Sequence, residues 1–523
     1  MAAAGSFGAT LRYRAFAVLW TGVLASYMAQ WMLALAAQWF LVALAGGADL
    51  VPLVQVALTL PMALLAIPAG VLADNTDRRR MIIIVQSCVL AAEIALVVLA
   101  LTEQLQPAVL LLLLVLVASG AVLTFTPVQS MVPDVVDRES IQAATSLLAV
   151  ATNSARIIGP AVAGLIIAIV SVGAAFAAAL PLTVILLVSM LRWKGRNVRN
   201  HSREDFMPAV RSGFRFARHS PQVLKIVLRG LWFTMGIVGL ISLLPLLAAG
   251  LGAGSADLGL LLAAQGVGAV VGALSLPRLR RYASANRIVA AGFLSAGCAV
   301  LASGLATNLL VLGVAVFVSG WAWTGTLATL TAGMQLYLPA WVRARGIAML
   351  LTSIYAGQAV GAVGLGWIAT SVGLTWALEV AAVILIGGAL LAMWPLKDLS
   401  HVDRSAVFGW SAPELVINPN EIGGQVQVRI TYTILKAAER EFLTAMHFLR
   451  RVRLRTGATR WQLLKDADAN HVFIEEFTVS SWAEYQHQRQ DRSVASDLAL
   501  EHAVAELSVE PASTVYLFRV ETM

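Results

Sequence analysis

The chain has 523 residues, of which 59% are hydrophobic and only 13% are charged, and its net charge is +8. Soluble globular proteins have roughly 45–50% apolar and about 25% charged residues, so this composition excludes an ordinary soluble protein. Apolar runs of about 20 residues recur, and each is long enough as a helix to cross a bilayer core of roughly 30 Å. Stretches such as "LLLLVLVASGAVLTF" do not alternate polar with apolar residues, so we expect membrane-spanning helices and not barrel strands.

Charged residues, prolines and glycines divide these apolar runs into twelve predicted helices. Their approximate bounds are residues 16–44, 51–73, 81–102, 107–132, 142–170, 172–191, 224–249, 257–276, 288–306, 309–338, 345–370 and 373–394. The loops between them alternate between a set rich in arginine and a set without arginine or lysine. Because cytoplasmic loops carry an excess of basic residues, we expect the arginine-rich loops and both termini in the cytoplasm. The positive net charge therefore indicates membrane topology and not binding to nucleic acid.

Two segments about 200 residues apart resemble one another, which indicates an internal repeat. The stretch "AGLIIAIVSVG" (163–173) matches "VGLGWIATSVG" (363–373), and each ends at a short turn without basic residues. We therefore predict an N-terminal six-helix half over residues 1–191 and a C-terminal six-helix half over residues 224–396. Two parallel halves are typical of transporters that alternate access by rocking.

Residues 192–223 form a basic linker between the two halves. Within "FMPAVRSGFRFARHSPQVLKIVLRG", helical spacing separates apolar residues from a basic face made by Arg211, Arg215 and Arg218. This pattern predicts an amphipathic helix that lies on the anionic inner leaflet of the membrane. The alternative is an ordinary solvated basic loop.

The composition changes after Pro395, because residues 410–523 are charged and contain no apolar run long enough to span a membrane. The stretch "QVQVRITYTI" alternates like a strand, and "AAEREFLTAMHFLRRVRLRTGA" has helical periodicity and stops at Gly457. Two strands around a turn, a second helix over "SWAEYQHQRQDRSVASDLALEHAVAEL" and a last strand "STVYLFRV" follow. The order βαββαβ predicts a cytoplasmic, ferredoxin-like α+β domain. The fold class is thus an all-α integral membrane protein with an added soluble domain.

The stretch "GVLADNTDRRR" (70–80) resembles the loop between helices 2 and 3 of the major facilitator superfamily, roughly G-x-x-x-D-R-x-G-R-R. It supplies Gly70, Asp74, Arg78 and Arg79. It differs from the family pattern by Asn75, where a basic residue is usual, and by Asp77, where a glycine is usual.

A second motif, "IIGPAVAG", resembles the helix-5 motif of exporters in that superfamily, with Gly159, Pro160 and Gly164. The longer stretch from "SMVPDVVDRESIQAATSLL" to "GPAVAG" is similar to the subgroup that includes enterobactin exporters and transmembrane secretion effectors. The resemblance covers about residues 10–395 and implies the major facilitator fold of twelve helices. The soluble domain weakly resembles dimeric α+β barrels of the antibiotic-biosynthesis-monooxygenase type, which implies a homodimer as a further partner.

The charged residues of the helix 2–3 loop have two readings. The family resemblance implies that Asp74 meets the N-terminus of helix 11, near residues 341–345, where the helix dipole favours a carboxylate. Arg78 is then expected to pair with Asp134, so that the cluster closes an inner gate in one conformation and opens in the other. In the alternative reading, residues 78–80 only set the topology and bind lipid headgroups.

Polar and aromatic residues form a stripe on helix 1, since Tyr27, Gln30, Trp31 and Gln38 recur at helical spacing. Such a stripe suits the wall of a cavity for a large, partly polar ligand. The alternative is a set of hydrogen bonds between packed helices. In the second half, the candidate cavity residues are Tyr355 and Gln358.

Arg156 lies near the middle of predicted helix 5, with Asn153 one turn before it and Pro160 one turn after it. A charged residue at the bilayer centre costs roughly 2.5–3.5 kcal/mol on insertion scales, so its side chain needs a partner, water or a ligand. We therefore predict that Arg156 faces a central cavity and favours a substrate of anionic or phenolate character. The alternative partner is a set of carbonyls freed by Pro160.

Proton-driven transport needs an acid that is protonated in one state and paired in another. The candidates are Glu93 in predicted helix 3 and Glu379 in predicted helix 12, although Glu379 lies near the outer turn, where it can reach the membrane surface. Helix 1 carries glutamines where several drug–proton antiporters carry an acid.

Taken together, these features predict a secondary active transporter that exports a small amphiphilic metabolite, siderophore or drug across a bacterial plasma (inner) membrane. The membrane part carries no nucleotide-binding loop of the "GxxxxGK" type, and no cofactor or metal is expected. The alternative is a membrane-tethered, cofactor-free monooxygenase-like enzyme whose helices form a conduit. Twelve helices in two halves exceed what an anchor needs, so we predict that the chain is not an enzyme.

Overall fold

The structure is a computed structural model that describes residues 10–44, 48–137, 140–193, 215, 218–393, 413, 415–417, 424–490 and 492–519. Within these residues lie long helices in the order α1 Arg14–Ala43, α2 Val51–Asn75, α3 Arg78–Leu101, α4 Pro107–Val135, α5 Ile141–Ile169, α6 Val172–Arg192, α7 Pro221–Gly250, α8 Ser255–Tyr282, α9 Ala285–Gly304, α10 Leu309–Tyr337, α11 Ala340–Ser371 and α12 Leu374–Met393. Eleven helices in the described part of the chain are long and apolar enough to cross a membrane. In α2 the corresponding apolar stretch, Val51–Ala66, is shorter.

The predicted helix bounds hold to within a few residues, and the largest differences lie at arginine-rich ends. Helix α8 continues to Tyr282, where the prediction ended it at residue 276, and α11 begins at Ala340 instead of residue 345. Both extensions carry arginines, such as Arg280 and Arg343, within the helix. A helix does not have to stop where the membrane ends, because its backbone stays hydrogen-bonded in water as well as in lipid.

The first six helices pack around α1, which contacts α5 and α6 along much of its length. Helix α3 packs against α4 and α6, and α2 packs against α4. Large side chains such as Phe16, Leu19 and Phe176 are fully buried between these helices. Because lipid is as apolar as these side chains, such packing contributes dispersion contacts and shape fit more than a hydrophobic driving force.

Small residues bring α5 and α8 into close contact. A Cβ on Gly164 would lie 2.5 Å from the carbonyl oxygen of Ser255, and one on Gly259 would lie 2.7 Å from the carbonyl oxygen of Pro160. The Ser255 hydroxyl also donates a hydrogen bond to the Gly164 carbonyl at 3.1 Å. This contact joins a helix of the first half to a helix of the second half, at the ends that are predicted to face outside.

We expect Gly164→Ala to weaken this contact, because the added methyl group would meet backbone and not a movable side chain. Overpacking of this kind typically costs about 1–3 kcal/mol. The readout is the rate at which a cysteine placed at Ser255 reacts with a membrane-impermeant thiol reagent, in a background without Cys88 and Cys298; the rate should rise. The matched control is Gly364→Ala, because Gly364 aligns with Gly164 in the repeat and a Cβ there meets nothing within 4 Å. Equal rates in the two variants would contradict the prediction.

The tail domain, residues 424–519, contains one antiparallel four-stranded sheet and three helices. Its elements are β1 Val426–Thr433, α13 Glu439–Thr456, β2 Arg460–Lys465, β3 Val472–Val479, α14 Trp482–Gln490, α15 Ala495–Glu506 and β4 Ser513–Phe518. The strand order in the sheet is β2-β3-β1-β4. Alternation places Val428, Tyr432 and Phe473 in a core shared with α13.

The second predicted tail helix is divided into α14 and α15. The break is held at Arg492, whose backbone N–H donates to the His487 carbonyl and whose guanidinium bonds Glu484 and the carbonyl of Thr456. These contacts fix a turn that helical periodicity cannot reveal, because the residues on both sides keep a helical pattern.

The chain separates into two compact units. One lies within Met1–Arg203, Val227–Thr331 and Ala348–Pro395 and contains most of the membrane helices. The other lies within Glu204–Ile226, Ala332–Ile347 and Leu396–Met523. The second unit thus combines the tail domain with the end of the linker, the first six residues of α7, the end of α10 and the first two turns of α11.

Candidate functional site

Arg156 is the centre of a cluster of polar and aromatic groups. Its guanidinium carbon lies 5.6 Å from the ring centroid of Trp31 and 5.6 Å from that of Trp323. Its Nη2 donates a long hydrogen bond of 3.5 Å to Oε1 of Gln265. Both distances to the rings fall within the range of cation–π attraction, which is worth about 2 kcal/mol or more where water is excluded. The guanidinium is therefore held mainly by aromatic faces.

One nitrogen of this guanidinium is still available. Within the described part of the chain, the Nε of Arg156 is buried and has no hydrogen-bond partner. Among the described residues the partners of this arginine are neutral, and a charge without a counter-charge is costly in a low-dielectric setting. A ligand anion would supply both the missing hydrogen-bond acceptor and the missing charge.

The cluster joins the first six helices to the last six. Trp31 lies in α1 and Arg156 in α5, whereas Gln265 lies in α8 and Trp323 in α10. Tyr355 of α11 also lies near Arg156. The surroundings of this single guanidinium therefore depend on how the first six helices pack against the last six.

A pocket in the first half opens next to this cluster. It lies among α1, α4, α5 and α6 and is lined by Val23, Ser26, Tyr27, Gln30, Ala121, Thr124, Phe125, Val128, Gln129, Leu148, Thr152 and Leu186. Its residues in α1 and α5 precede Trp31 and Arg156, so the pocket lies on the predicted cytoplasmic side of the cluster. Its walls are apolar with a few amide and hydroxyl groups, the mixture that suits an amphiphilic molecule, but its volume of about 30 Å³ has room for only about two water molecules.

The other predicted cavity residues have different positions. Gln358 is buried and accepts a hydrogen bond of 3.2 Å from Gln55, which links α11 to α2. Gln38 is buried within α1, at 5% exposure. The amide of Asn153 is exposed and donates to the Ala149 carbonyl of its own helix at 2.8 Å. Of the predicted stripe, Tyr27 and Gln30 reach the pocket and Trp31 reaches Arg156.

The residues of the inner-gate motif contact different partners in the structure. Arg78 forms an ion pair of 3.4 Å with Asp134, and both side chains are partly exposed. Arg79 instead donates to the carbonyls of Met190 and Leu191 at 2.8 and 2.7 Å, at the C-terminus of α6. Asp77 caps α3 by accepting the N–H of Arg80. The side chains of Gly70 and Asp74 lie outside the described residues.

The C-terminus of α12 is capped by an arginine of another helix, as the C-terminus of α6 is. Arg229 of α7 is buried and donates to the carbonyls of Leu391 and Ala392 at 3.2 and 3.1 Å, at the C-terminus of α12. It also donates to Asn286 at 2.9 Å. A cation at the negative end of a helix dipole is favourable, and it satisfies carbonyls that lack intrahelical partners. The C-termini of α6 and α12 are thus each capped by an arginine from another helix.

The helix-5 motif positions both sides of the Arg156 cluster. A Cβ on Gly159 would lie 2.9 Å from the Cβ of Trp31, so this glycine lets α1 approach α5. Gly164 allows the contact with α8, and Pro160 lies within the helix between them. The motif therefore places Arg156 between a close neighbour in its own half and a close neighbour in the other half.

The two candidate acids lie in contrasting environments. Glu93 is 1% exposed and accepts a hydrogen bond of 2.9 Å from Thr183 of α6. Its second carboxyl oxygen is buried without a hydrogen-bond partner in the described part of the chain. Glu379 is exposed, near the start of α12. Glu93 is accordingly the acid that the protein interior encloses.

The tail domain contains a buried ion cluster. Arg453 bonds Glu475 at 3.1 Å and Glu501 at 2.6 Å, and Arg489 bonds the other oxygen of Glu501 at 2.7 Å. Glu475 also accepts hydrogen bonds from the Tyr432 hydroxyl and the Trp461 indole. Every carboxyl oxygen in this cluster has a partner, which is typical of a structural network.

Sequence reasoning found Arg156 and Trp31 but missed two of their partners. Gln265 is the single amide in the apolar run of α8, and such an isolated polar residue in a membrane helix indicates a polar contact. Trp323, in "WAWTG", has no such signal, because a tryptophan in a membrane helix is usually a packing residue. Which of the α10 tryptophans faces Arg156 depends on how the two halves pack.

Comparison with known proteins agrees with this architecture. Residues 5–518 match the family model described as transmembrane secretion effector. The chain is 28% identical over 301 residues to the enterobactin exporter EntS of Shigella boydii serotype 18 and to that of Escherichia coli O1:K1 / APEC, which covers 57% of this chain and 71% of each relative.

Solved transporter structures share the fold at low sequence identity. A bacterial homologue of the human lysosomal transporter Spinster, in an inward-facing conformation, has a TM-score of 0.58 at 15% identity and covers 73% of this chain and 96% of its own. The nucleoside transporter NupG has a TM-score of 0.61 at 12% identity, covering 72% of this chain and 98% of its own. At such low sequence identities, the structural similarity shows a shared fold alone. Because the family model spans nearly the whole chain, this multi-pass membrane protein belongs to the transmembrane secretion effector family of the major facilitator superfamily.

Proposed function

We propose that the protein is a secondary active exporter of a small amphiphilic molecule with an anionic or phenolate group. The observation that carries the proposal is the Arg156 cluster, where helices of both halves hold a cation that has no anionic partner among the described residues. The anionic group binds the guanidinium, and the apolar body lies against the walls of the adjoining pocket, which widens when substrate binds. A metabolite, a siderophore or a drug fits this description, and relatives named as enterobactin exporters favour a siderophore.

Export then proceeds by alternating access through twelve spans, with α2 as the twelfth. Two cross-half contacts, α5 with α8 and α2 with α11, support this mechanism. The second includes Gly366, where a Cβ would lie 2.7 Å from Pro52. Both contacts lie towards the predicted outer ends of the helices, so the structure corresponds to a state that is closed on the outside. Substrate enters from the cytoplasm, in a plasma (inner) membrane, with both chain termini on that side.

Proton coupling and the inner gate complete the proposal. Glu93 is the first candidate for the coupling acid, because it is enclosed and one of its oxygens has no hydrogen-bond partner among the described residues and can carry a proton. Glu379 is the second candidate. The inner gate involves Arg78 and Asp134, whose partly exposed ion pair is weak enough to break during the cycle.

The tail domain is proposed to be ferredoxin-like and to mediate a homodimer. The strand order β2-β3-β1-β4 and the placement of the core on one face of the sheet support this fold. The opposite face carries exposed Leu464, Val515 and Leu517. A second copy of the chain is the proposed partner of this face. The carboxyl groups of Glu475 and Glu501 are all paired, which supports a structural role over catalysis.

The test is substrate accumulation in inside-out membrane vesicles with and without the protein, repeated with a proton ionophore. We expect uptake of amphiphilic anions that the ionophore abolishes, and little uptake of cations of matched size. Uptake that is equal for vesicles with and without the protein would overturn the proposal. A truncation before residue 400 separates transport from any activity of the tail domain.

A further inference from the structure

The linker between the two halves is bound to the tail domain by an ion pair. Nη2 of Arg215 lies 2.7 Å from Oε1 of Glu484 in the first turn of α14, and both side chains are largely buried. The N–H of His219 donates to the Arg215 carbonyl at 3.1 Å, which makes a helical turn just before Pro221 begins α7. The contact therefore lies six residues from the first helix of the second half.

Glu484 is fixed within the tail domain by a second arginine. Arg492 donates from Nη1 to Oε1 at 2.7 Å and from Nη2 to Oε2 at 3.0 Å, and it also donates to the Thr456 carbonyl. Burial by itself raises the pKa of Glu484, but the hydrogen bonds from Arg492 and Arg215 outweigh it and hold that pKa below its ordinary value. The carboxylate is thus charged and rigidly placed, with its remaining hydrogen-bonding capacity turned to the linker.

A second element of the tail domain also faces the linker. His219 has a pKa below its ordinary value, first because it is partly buried and then because Arg218, Arg215 and Arg450 lie close to it. Arg450 belongs to α13, so α13 and α14 both approach the same turn of the linker. A neutral histidine there adds no charge to a turn that already contains two arginines.

The length of the linker limits the mechanical effect of the ion pair between Arg215 and Glu484. The 22 residues 193–214 lie between α6 and Arg215. When extended they can span up to about 75 Å, so the contact does not restrict how far the two halves separate. It instead joins the tail domain to the start of α7. The same compact unit contains residues 332–347, which comprise the end of α10, the two-residue connection and the first two turns of α11.

We propose that the tail domain is a regulatory clamp that grips the linker of its own chain through Glu484 and Arg215. The clamp fixes the first turn of α7 and the α10–α11 connection in one unit, and it thereby sets the rate of the conformational cycle. Release of Arg215 loosens the linker and slows turnover without changing the affinity for substrate. The clamp acts in the same way whichever substrate the protein carries.

The test compares Arg215→Glu, Arg215→Lys and Arg218→Glu in the full-length protein in nanodiscs. Chymotrypsin cleaves the linker after its phenylalanines, so the cleavage rate reports release. Loss of a charge-assisted hydrogen bond is expected to raise the cleavage rate of Arg215→Glu about tenfold. Arg215→Lys keeps the charge and should resemble the unchanged protein. Arg218→Glu, on the same turn with an exposed side chain, is the matched control.

The second readout is the initial transport rate in vesicles as a function of substrate concentration. We expect Arg215→Glu to lower the maximal rate several-fold at unchanged KM. Unchanged cleavage in Arg215→Glu would overturn the clamp, and raised cleavage with an unchanged maximal rate would overturn its regulatory role. Because cleavage is measured without substrate, failure of the exporter proposal is distinguishable from failure of the clamp.

Discussion

Replacement of Arg156 by glutamine is expected to remove most export at substrate concentrations below KM while leaving the fold intact. The substitution removes the cation but keeps a shorter, polar amide side chain. A charge-assisted hydrogen bond contributes about 1.5–3 kcal/mol, so the apparent affinity for an anionic substrate should fall about 10- to 100-fold. The measurement is the initial uptake rate in inside-out vesicles over a range of substrate concentrations. Undiminished transport would reject the assignment of Arg156 to the substrate site.

The stability of the same variant separates a binding role from a structural role. An uncompensated charge inside the membrane part is costly, so Arg156→Gln should unfold in detergent at the same temperature as the unchanged protein or at a higher one. Trp323→Phe is the matched variant, because it weakens one cation–π contact without removing the charge. We expect a smaller loss of affinity from it. A large drop in unfolding temperature for Arg156→Gln would indicate that the cluster is structural.

Replacement of Arg453 by methionine is expected to destabilise the tail domain by about 3–5 kcal/mol. The side chain of Arg453 is 5% exposed and compensates Glu475, which is 0% exposed. Without it, Glu475 remains buried with only the neutral donors Tyr432 and Trp461. The measurement is hydrogen exchange of the amides of β1 and β3 in the full-length protein, which should speed up by at least about 100-fold.

Lys465→Met is the matched control, because Lys465 and Glu439 form an ion pair in which both side chains are more than 30% exposed. Exposed pairs contribute about 0–1 kcal/mol, so exchange should change little. Comparable exchange rates in Arg453→Met and Lys465→Met would contradict a stabilising role for the buried cluster.

Lowering the pH is expected to destabilise the tail domain through the same buried ion cluster. Burial raises the pKa of Glu501, but Arg453 and Arg489 outweigh it and hold that pKa below the ordinary value of 4.5. The unfolded chain therefore binds a proton more readily than the folded domain as the pH falls. The contribution of Glu501 to stability is complete at neutral pH and is lost below about pH 4.5.

Much of the membrane architecture follows from the chain itself. Lipid requires each spanning segment to pair its own backbone, so apolar length alone locates helices such as α3 and α6. The tail strands follow from the alternation around Tyr432 and Phe473, which the sheet confirms. Arg156 was identifiable because a charge inside an apolar helix has few explanations.

Contacts between segments that are far apart in the sequence could be identified only from the tertiary structure. The sequence determined that "GVLADNTDRRR" is a charged turn between two helices, but it could not distinguish Arg78, which pairs with Asp134, from Arg79, which caps α6. Neighbouring residues at a helix start point in directions about 100° apart, and which partner each one meets depends on the packing of the other helices. The same physical reason applies to Trp323 beside Arg156 and to Glu484 beside Arg215. Local pattern determines the elements, whereas only their packing decides which side chains meet.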